Sequence, residues 1–256
     1  DGEALSLDGG LVTAKGEPVR LTAGRVDFHA KLAPAPMAGL YTLLFAGGEE
    51  GAGYGYAAVT IGKGGLAKVK GVLNDGKRVA ASNWITGEGD WFLFRNLSTK
   101  AVKSHLGGYL NFRDLPGVSD FDGTLSRWTS KWVEGVETVT DDPIEVVGSS
   151  FVRRIKGEDP RLLGESGEGV LTLVGWDEPE SFGISWNAKN RLFINGYRLL
   201  KGGINPRNGL VSGAFIDPET GQKAIFGGAL LQKQGMVGGR FVRGEETGQI
   251  LIEAND

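Results

Sequence analysis

Short runs in which apolar residues alternate with polar ones, each closed by glycine, asparagine or aspartate, recur along the whole chain. Tyr54, Tyr56, Ala58 and Thr60 make one such run, and Leu106, Tyr109, Leu110 and Phe112 fall in another. A period of two matches the pleat of a β-strand and not the 3.6-residue period of an amphipathic helix. Further runs cover residues 26–32, 40–46, 79–85, 121–128, 170–174, 210–216, 223–231 and 248–253. Only 96–106 holds enough helix formers for a short helix, and its apolar spacing fits one poorly. The expected fold is all-β, an antiparallel barrel or sandwich architecture with little or no helix.

Glycine supports this reading. It supplies 43 of 256 residues, about 17% against an ordinary ~7%. The glycines follow no three-residue period, which excludes collagen, and they sit among Val, Leu, Phe, Trp and Tyr, which argues for an ordered structure. Asn74-Asp75-Gly76 lies between two strand-like runs and its Asp-Gly pair suits a two-residue hairpin turn, and Asp217-Pro218-Glu219-Thr220-Gly221 suits a longer one.

The strings 69–75 and 211–217 share the register Val-x-Gly-apolar-apolar-x-Asp, and a Gly-Gly strand comes after each, at Gly107-Gly108 and Gly238-Gly239. Two related halves are therefore expected. Residues 34–132 form the first and 148–256 the second, with the acidic stretch 133–147 connecting them and 1–33 adding strands to the body.

The 28 basic and 31 acidic residues are intermingled, so no phosphate-binding stripe emerges and nucleic acid is not an expected partner. No run approaches the roughly 18–20 apolar residues of a membrane-spanning helix. A chain that starts at Asp1, without Met or a signal-like segment, is expected to be a processed product or a piece of something longer. Cysteine is absent, which bears only weakly on compartment.

Motifs of chemistry are sparse. Gly71 to Lys77 fits most of a phosphate-binding loop, but Arg78 stands where a hydroxyl must reach magnesium, and the hairpin reading is preferred. Gly51, Gly53 and Gly55 lack the spacing of a dinucleotide fingerprint and are expected to bend or open a strand. His29 and His105 have no neighbouring ligands at metal spacing, and no Gly-x-Ser-x-Gly elbow is present. Asp120-Phe121-Asp122-Gly123 and Asp141-Asp142 hold too few carboxylates for a calcium loop. No catalytic residue, metal site or cofactor is assigned. Asn96-Leu97-Ser98 is a formal glycosylation sequon.

Six tryptophans, Trp84, Trp91, Trp128, Trp132, Trp176 and Trp186, are candidates for stacking on sugar rings, although a β core consumes the same residue. Tyr54, Tyr56, Trp84, Trp91 and Trp132 form the candidate glycan-binding set, with most rings expected to be buried.

The strings Gly39-Leu-Tyr-Thr-Leu-Leu-Phe45, Gly53-Tyr-Gly-Tyr-Ala-Ala-Val-Thr60, Gly71-Val-Leu-Asn-Asp-Gly76, Gly89-Asp-Trp-Phe-Leu-Phe94 and Gly123-Thr-Leu-Ser-Arg-Trp128 succeed one another in the first half. Asn208-Gly-Leu-Val-Ser-Gly-Ala-Phe215 and Phe226-Gly-Gly-Ala-Leu-Leu-Gln232 belong to the second. Together they resemble a β-rich region near the C-terminus of large secreted or surface proteins of planctomycete and verrucomicrobial bacteria, over residues 34–253. The resemblance implies secretion or cell-surface display beside other extracellular modules. It carries no reactive residue.

The expected function is non-catalytic, a structural or adhesive module that pairs with copies of itself or other surface proteins through strand edges. Gly-Gly-Ala-Leu-Leu at 227–231 is the expected edge. The alternative is a carbohydrate-binding module with a polysaccharide partner.

Overall fold

The computed structural model describes residues 9–12, 18–21, 24–47, 53–154, 161–175, 178–196, 199–216 and 221–255. Strands β1 (Gly9–Val12) and β2 (Pro18–Leu21) pair with each other in a small sheet of their own. The next eight are β3 (Gly39–Ala46), β4 (Gly55–Ile61), β5 (Leu66–Val72), β6 (Arg78–Trp84), β7 (Asp90–Asn96), β8 (Val102–Leu115), β9 (Ser119–Val133) and β10 (Val136–Ser150). Each pairs antiparallel with its neighbours in sequence, apart from a seam between β6 and β7, and β10 returns to pair with β3. The Ile85–Trp91 bridge spans the seam, so the sheet curls into a nearly closed up-and-down barrel.

The second barrel repeats this plan. It comprises β11 (Glu168–Val174), β12 (Glu180–Trp186), β13 (Leu192–Ile194), β14 (Leu199–Ile204), β15 (Leu210–Ile216), β16 (Lys223–Leu231), β17 (Met236–Arg243) and β18 (Glu246–Ala254). Its last strand returns to its first, and the Arg191–Gly203 bridge spans a seam between β13 and β14, one strand earlier in the barrel than the seam of the first. The described residues contain no helix, hence none long and apolar enough to cross a membrane. The all-β reading and the two related halves are both borne out.

Several sequence expectations change. Residues 133–147 are not a connector, because most of them belong to β10, the closing strand of the first barrel. The acidic side chains are tolerated there because the strand stands in water over 136–143. Residues 96–106 are the end of β7 and the start of β8, with the Thr99–Val102 turn between them. The strings 69–75 and 211–217 lie on β5 and β15, the third strand of one barrel and the fifth of the other, so the duplication is one of topology and not of that register. Asp217 to Thr220 lie outside the described residues.

The Asn74-Asp75-Gly76 hairpin is a three-residue loop and not the expected two-residue turn, because Leu73 pairs with Lys77. Gly76 N–H donates to Leu73 O at 2.9 Å, and Gly76 takes a φ of 81°, the left-handed position that such a loop reserves for glycine. Residues 26–32 form a turn and short bridge in place of a strand, while Phe28 and Met37 pack against the first barrel's core.

Both interiors are filled. Phe45, Trp91, Leu93, Leu106, Leu110 and Phe121 are fully buried in the first barrel, where Trp91 and Tyr41 meet Phe121 edge-on. Phe215, Phe226, Phe241, Ile250 and Ile252 anchor the second. A third cluster joins the barrels, with Leu44, Tyr54 and Tyr56 from the first against Ala229, Leu231 and Met236 from the second. Gly227 and Gly238 admit that contact: a Cβ on Gly227 would stand 2.1 Å from the Tyr56 hydroxyl, and one on Gly238 would stand 2.4 Å from Leu44.

Candidate functional site: an aromatic outer wall

An eight-stranded barrel packed with Trp, Phe and Leu leaves a ligand only the outside, so the outward positions decide what the molecule can bind. The five candidate aromatics separate. Trp91 is fully buried in the first core, and Tyr54 and Tyr56 are half-buried between the barrels, so none of the three offers a ring face to a sugar. Their run is apolar on both faces for that reason: Ala57 and Val59 point into the barrel, while Tyr56 meets β16. Trp84 and Trp132 are 49% and 69% exposed. Trp176 lies outside the described residues, and Trp186 is buried.

Trp84 and Trp132 flank a set of aromatics that, Trp128 apart, the sequence reading passed over. The Ile85–Trp91 bridge sets Trp84 alongside Phe92 in register, and Asn83 Nδ2 donates to Phe92 O at 3.1 Å across the same seam. Phe92 pairs with Tyr109, their rings 5.0 Å apart. The neighbouring outward positions hold Phe94 on β7, His105 on β8 and Trp128 on β9. His105 stacks on Trp128 at 5.2 Å and 20°, and lies 5.7 Å from Phe94. Trp132 continues the outward row of β9, roughly 13 Å beyond Trp128 by strand rise.

Phe94 and Tyr109 are 52% and 53% exposed. The solvent face of an antiparallel sheet ordinarily carries polar residues, so this apolar wall marks a surface built for contact. A signal was present in Trp91-Phe92-Leu93-Phe94, because when Trp91 and Leu93 face inward the strand period forces Phe92 and Phe94 outward.

Gly107 sits between Phe94 and Ser126 in its row, and its missing side chain opens a depression of about 400 Å³. Tyr109, Thr124, Ser126, Asp141 and Pro143 line it. Its hydroxyls are oriented: Ser126 Oγ donates to Asp141, and Thr124 Oγ1 donates to Glu145 Oε1 at 2.8 Å. The wall therefore combines flat apolar faces with held carboxylate and hydroxyl oxygens, the two kinds of group a pyranose presents contacts for.

The other carboxylates weighed for metal are committed elsewhere. Asp120 accepts from Ser150 N–H at 2.6 Å and Lys233 Nζ at 3.0 Å. Burial pushes the Asp122 carboxyl up, but hydrogen bonds from Arg113 and Ser119 and the Arg113 charge outweigh it and hold it below the ordinary range. Nδ1 of His29 accepts from the backbone of Lys31 and Leu32 in a local turn. Among the described residues no three His, Asp or Glu side chains converge as a metal site.

The fold and wall define a class: tandem eight-stranded up-and-down barrels with an aromatic exterior surface. No family model matches the chain, and no curated protein matches it.

Proposed function

We propose that this chain is a non-catalytic adhesive module that binds a polysaccharide on the outer wall of its first barrel. The observation that carries the reading is the outward aromatic set beside the Gly107 depression, exposed Phe92, Phe94 and Tyr109 with half-buried His105 and Trp128, flanked by Trp84 and Trp132. Display on a bacterial surface or secretion is part of the same proposal and rests on the resemblance of residues 34–253 to regions of such proteins. The purely structural reading, a rigid spacer, draws on the apolar junction between the barrels.

A glycan array followed by titration with tryptophan fluorescence tests the proposal. Replacing Trp128 or Phe94 by Ala is expected to weaken binding by about tenfold each, the scale of one lost aromatic contact. Gly107→Leu is expected to fill the depression and abolish binding with the fold intact, because a Cβ there meets the Phe94 ring edge at 3.3 Å and Leu93 O at an ordinary 3.8 Å. Absence of binding across plant, algal and bacterial polysaccharides would leave the spacer reading standing.

A further inference from the structure

The hairpin joining β9 to β10 projects beyond the barrel. It turns at Glu134 and Gly135, both with positive φ, as a two-residue hairpin turn requires. Residues 131–143 are exposed throughout. The β10 pairing with β9 begins at Val136, whereas its pairing with β3 begins only at Glu145. Among the described residues no strand lies on that side of β10 from Val136 to Ile144. Because β8 backs β9 as far as Lys131, most of this stretch of β10 is the free edge of a sheet, and a free edge is a template for another strand.

This edge is poorly blunted. Its run is Val136, Glu137, Thr138, Val139, Thr140, rich in β-branched residues, and proline appears only at its base, as Pro143. Its charges are one-sided on one face: Glu137 and Asp141 point the same way, opposite Trp132 and Trp128, whereas Asp142 points the other way, opposite Arg127. An antiparallel second copy centred on Thr138 would set Glu134 opposite Asp142, and a parallel copy would set each carboxylate beside its twin. Like charges in register oppose both. A strand bearing cations would pair with the same side chains.

We infer that the free edge of β10 from Val136 to Asp142 is a strand-addition site for an extended segment of a partner protein that carries alternating Lys or Arg side chains. Main-chain hydrogen bonds supply the docking and the carboxylates select the charge. The docking uses the main-chain edge of β10 and not the aromatic rings of the proposed glycan site, with which it shares only Asp141.

The test uses short end-capped peptides: one alternating valine with lysine, one with glutamate in place of lysine, and the lysine peptide N-methylated at alternate positions. Fluorescence anisotropy and amide hydrogen exchange of the whole chain are the readouts. The lysine peptide is expected to bind, to protect amides within 136–142, and to lose about tenfold in affinity against a Glu137→Lys, Asp141→Lys variant. The N-methylated peptide is expected not to bind. Circular dichroism checks that the variant, altered only at exposed positions, keeps its fold. Equal binding of all three peptides, no binding of the lysine peptide, or no protection of 136–142 overturns the inference. So does protection of those amides in the free protein together with a sedimenting dimer, which would assign the edge to a second copy.

Discussion

Asp75 ties the β5–β6 turn to β9, since Oδ1 accepts from Lys77 N–H at 2.9 Å and Oδ2 from Arg127 Nη2 at 2.6 Å. Burial pushes its carboxyl up, but those hydrogen bonds and the Arg127 and Lys77 charges outweigh burial and hold the folded value below the ordinary 3.8. A carboxyl depressed in the folded state adds stability above its unfolded pKa, and that stability is lost as pH falls through the folded value. Asp75→Asn is therefore expected to destabilise the chain near neutrality and to flatten the loss of stability below about pH 4, measured by urea denaturation across pH. The turn itself was legible in Asn74-Asp75-Gly76, because glycine's positive φ is a local property. Its ion pair with Arg127 was not, because the partner arrives from a distant strand.

At the scale of elements, β16 shows how local pattern misleads. Gly227 to Leu231 reads as a bare edge, yet β16 pairs with both β15 and β17, and its outward face meets β3 and β4 of the other barrel. Glycine there permits close approach, and the free edge belongs to β10. Gly227→Val would drive its branched side chain into the Tyr56 ring, and overpacking of this kind costs about 1–3 kcal/mol. Calorimetry is expected to show a lowered Tm, with the two barrels melting separately in place of one transition. A surface role for residue 227 predicts no change. The alternation that identified the strands could not say which neighbour each strand takes, and on β4, β7 and β16 apolar residues occupy both faces.

Across the whole molecule the junction is an apolar cluster tied by buried and peripheral hydrogen bonds. Thr42 Oγ1 donates to Leu230 O, Tyr54 N–H donates to Gly239 O at 2.9 Å, and Lys233 reaches Asp114, Asp120 and Ser119 O from the β16–β17 turn. Burial raises the Tyr56 hydroxyl above its ordinary 10.0, against a smaller lowering by Arg240. A tyrosine raised in the folded state contributes stability that is fully present below pH 10 and lost as pH rises through the folded value. Alkali is thus expected to loosen the junction before the cores, and Tyr56→Phe to blunt that dependence, read by calorimetry between pH 8 and pH 11.

Sequence alone determined the features that local chain chemistry sets: strands from a period of two, turns from glycine and asparagine, two related halves, and the lack of any recognisable catalytic motif. Only the tertiary structure decided which aromatic faces meet solvent. Trp91 and Phe92 are neighbours in sequence, but barrel closure sends the first into the core and the second onto the wall. Tyr56 and Tyr109 are both outward, but the second barrel covers one and leaves the other bare. Burial depends on what packs against a face, and that is set by contacts between residues far apart in the chain.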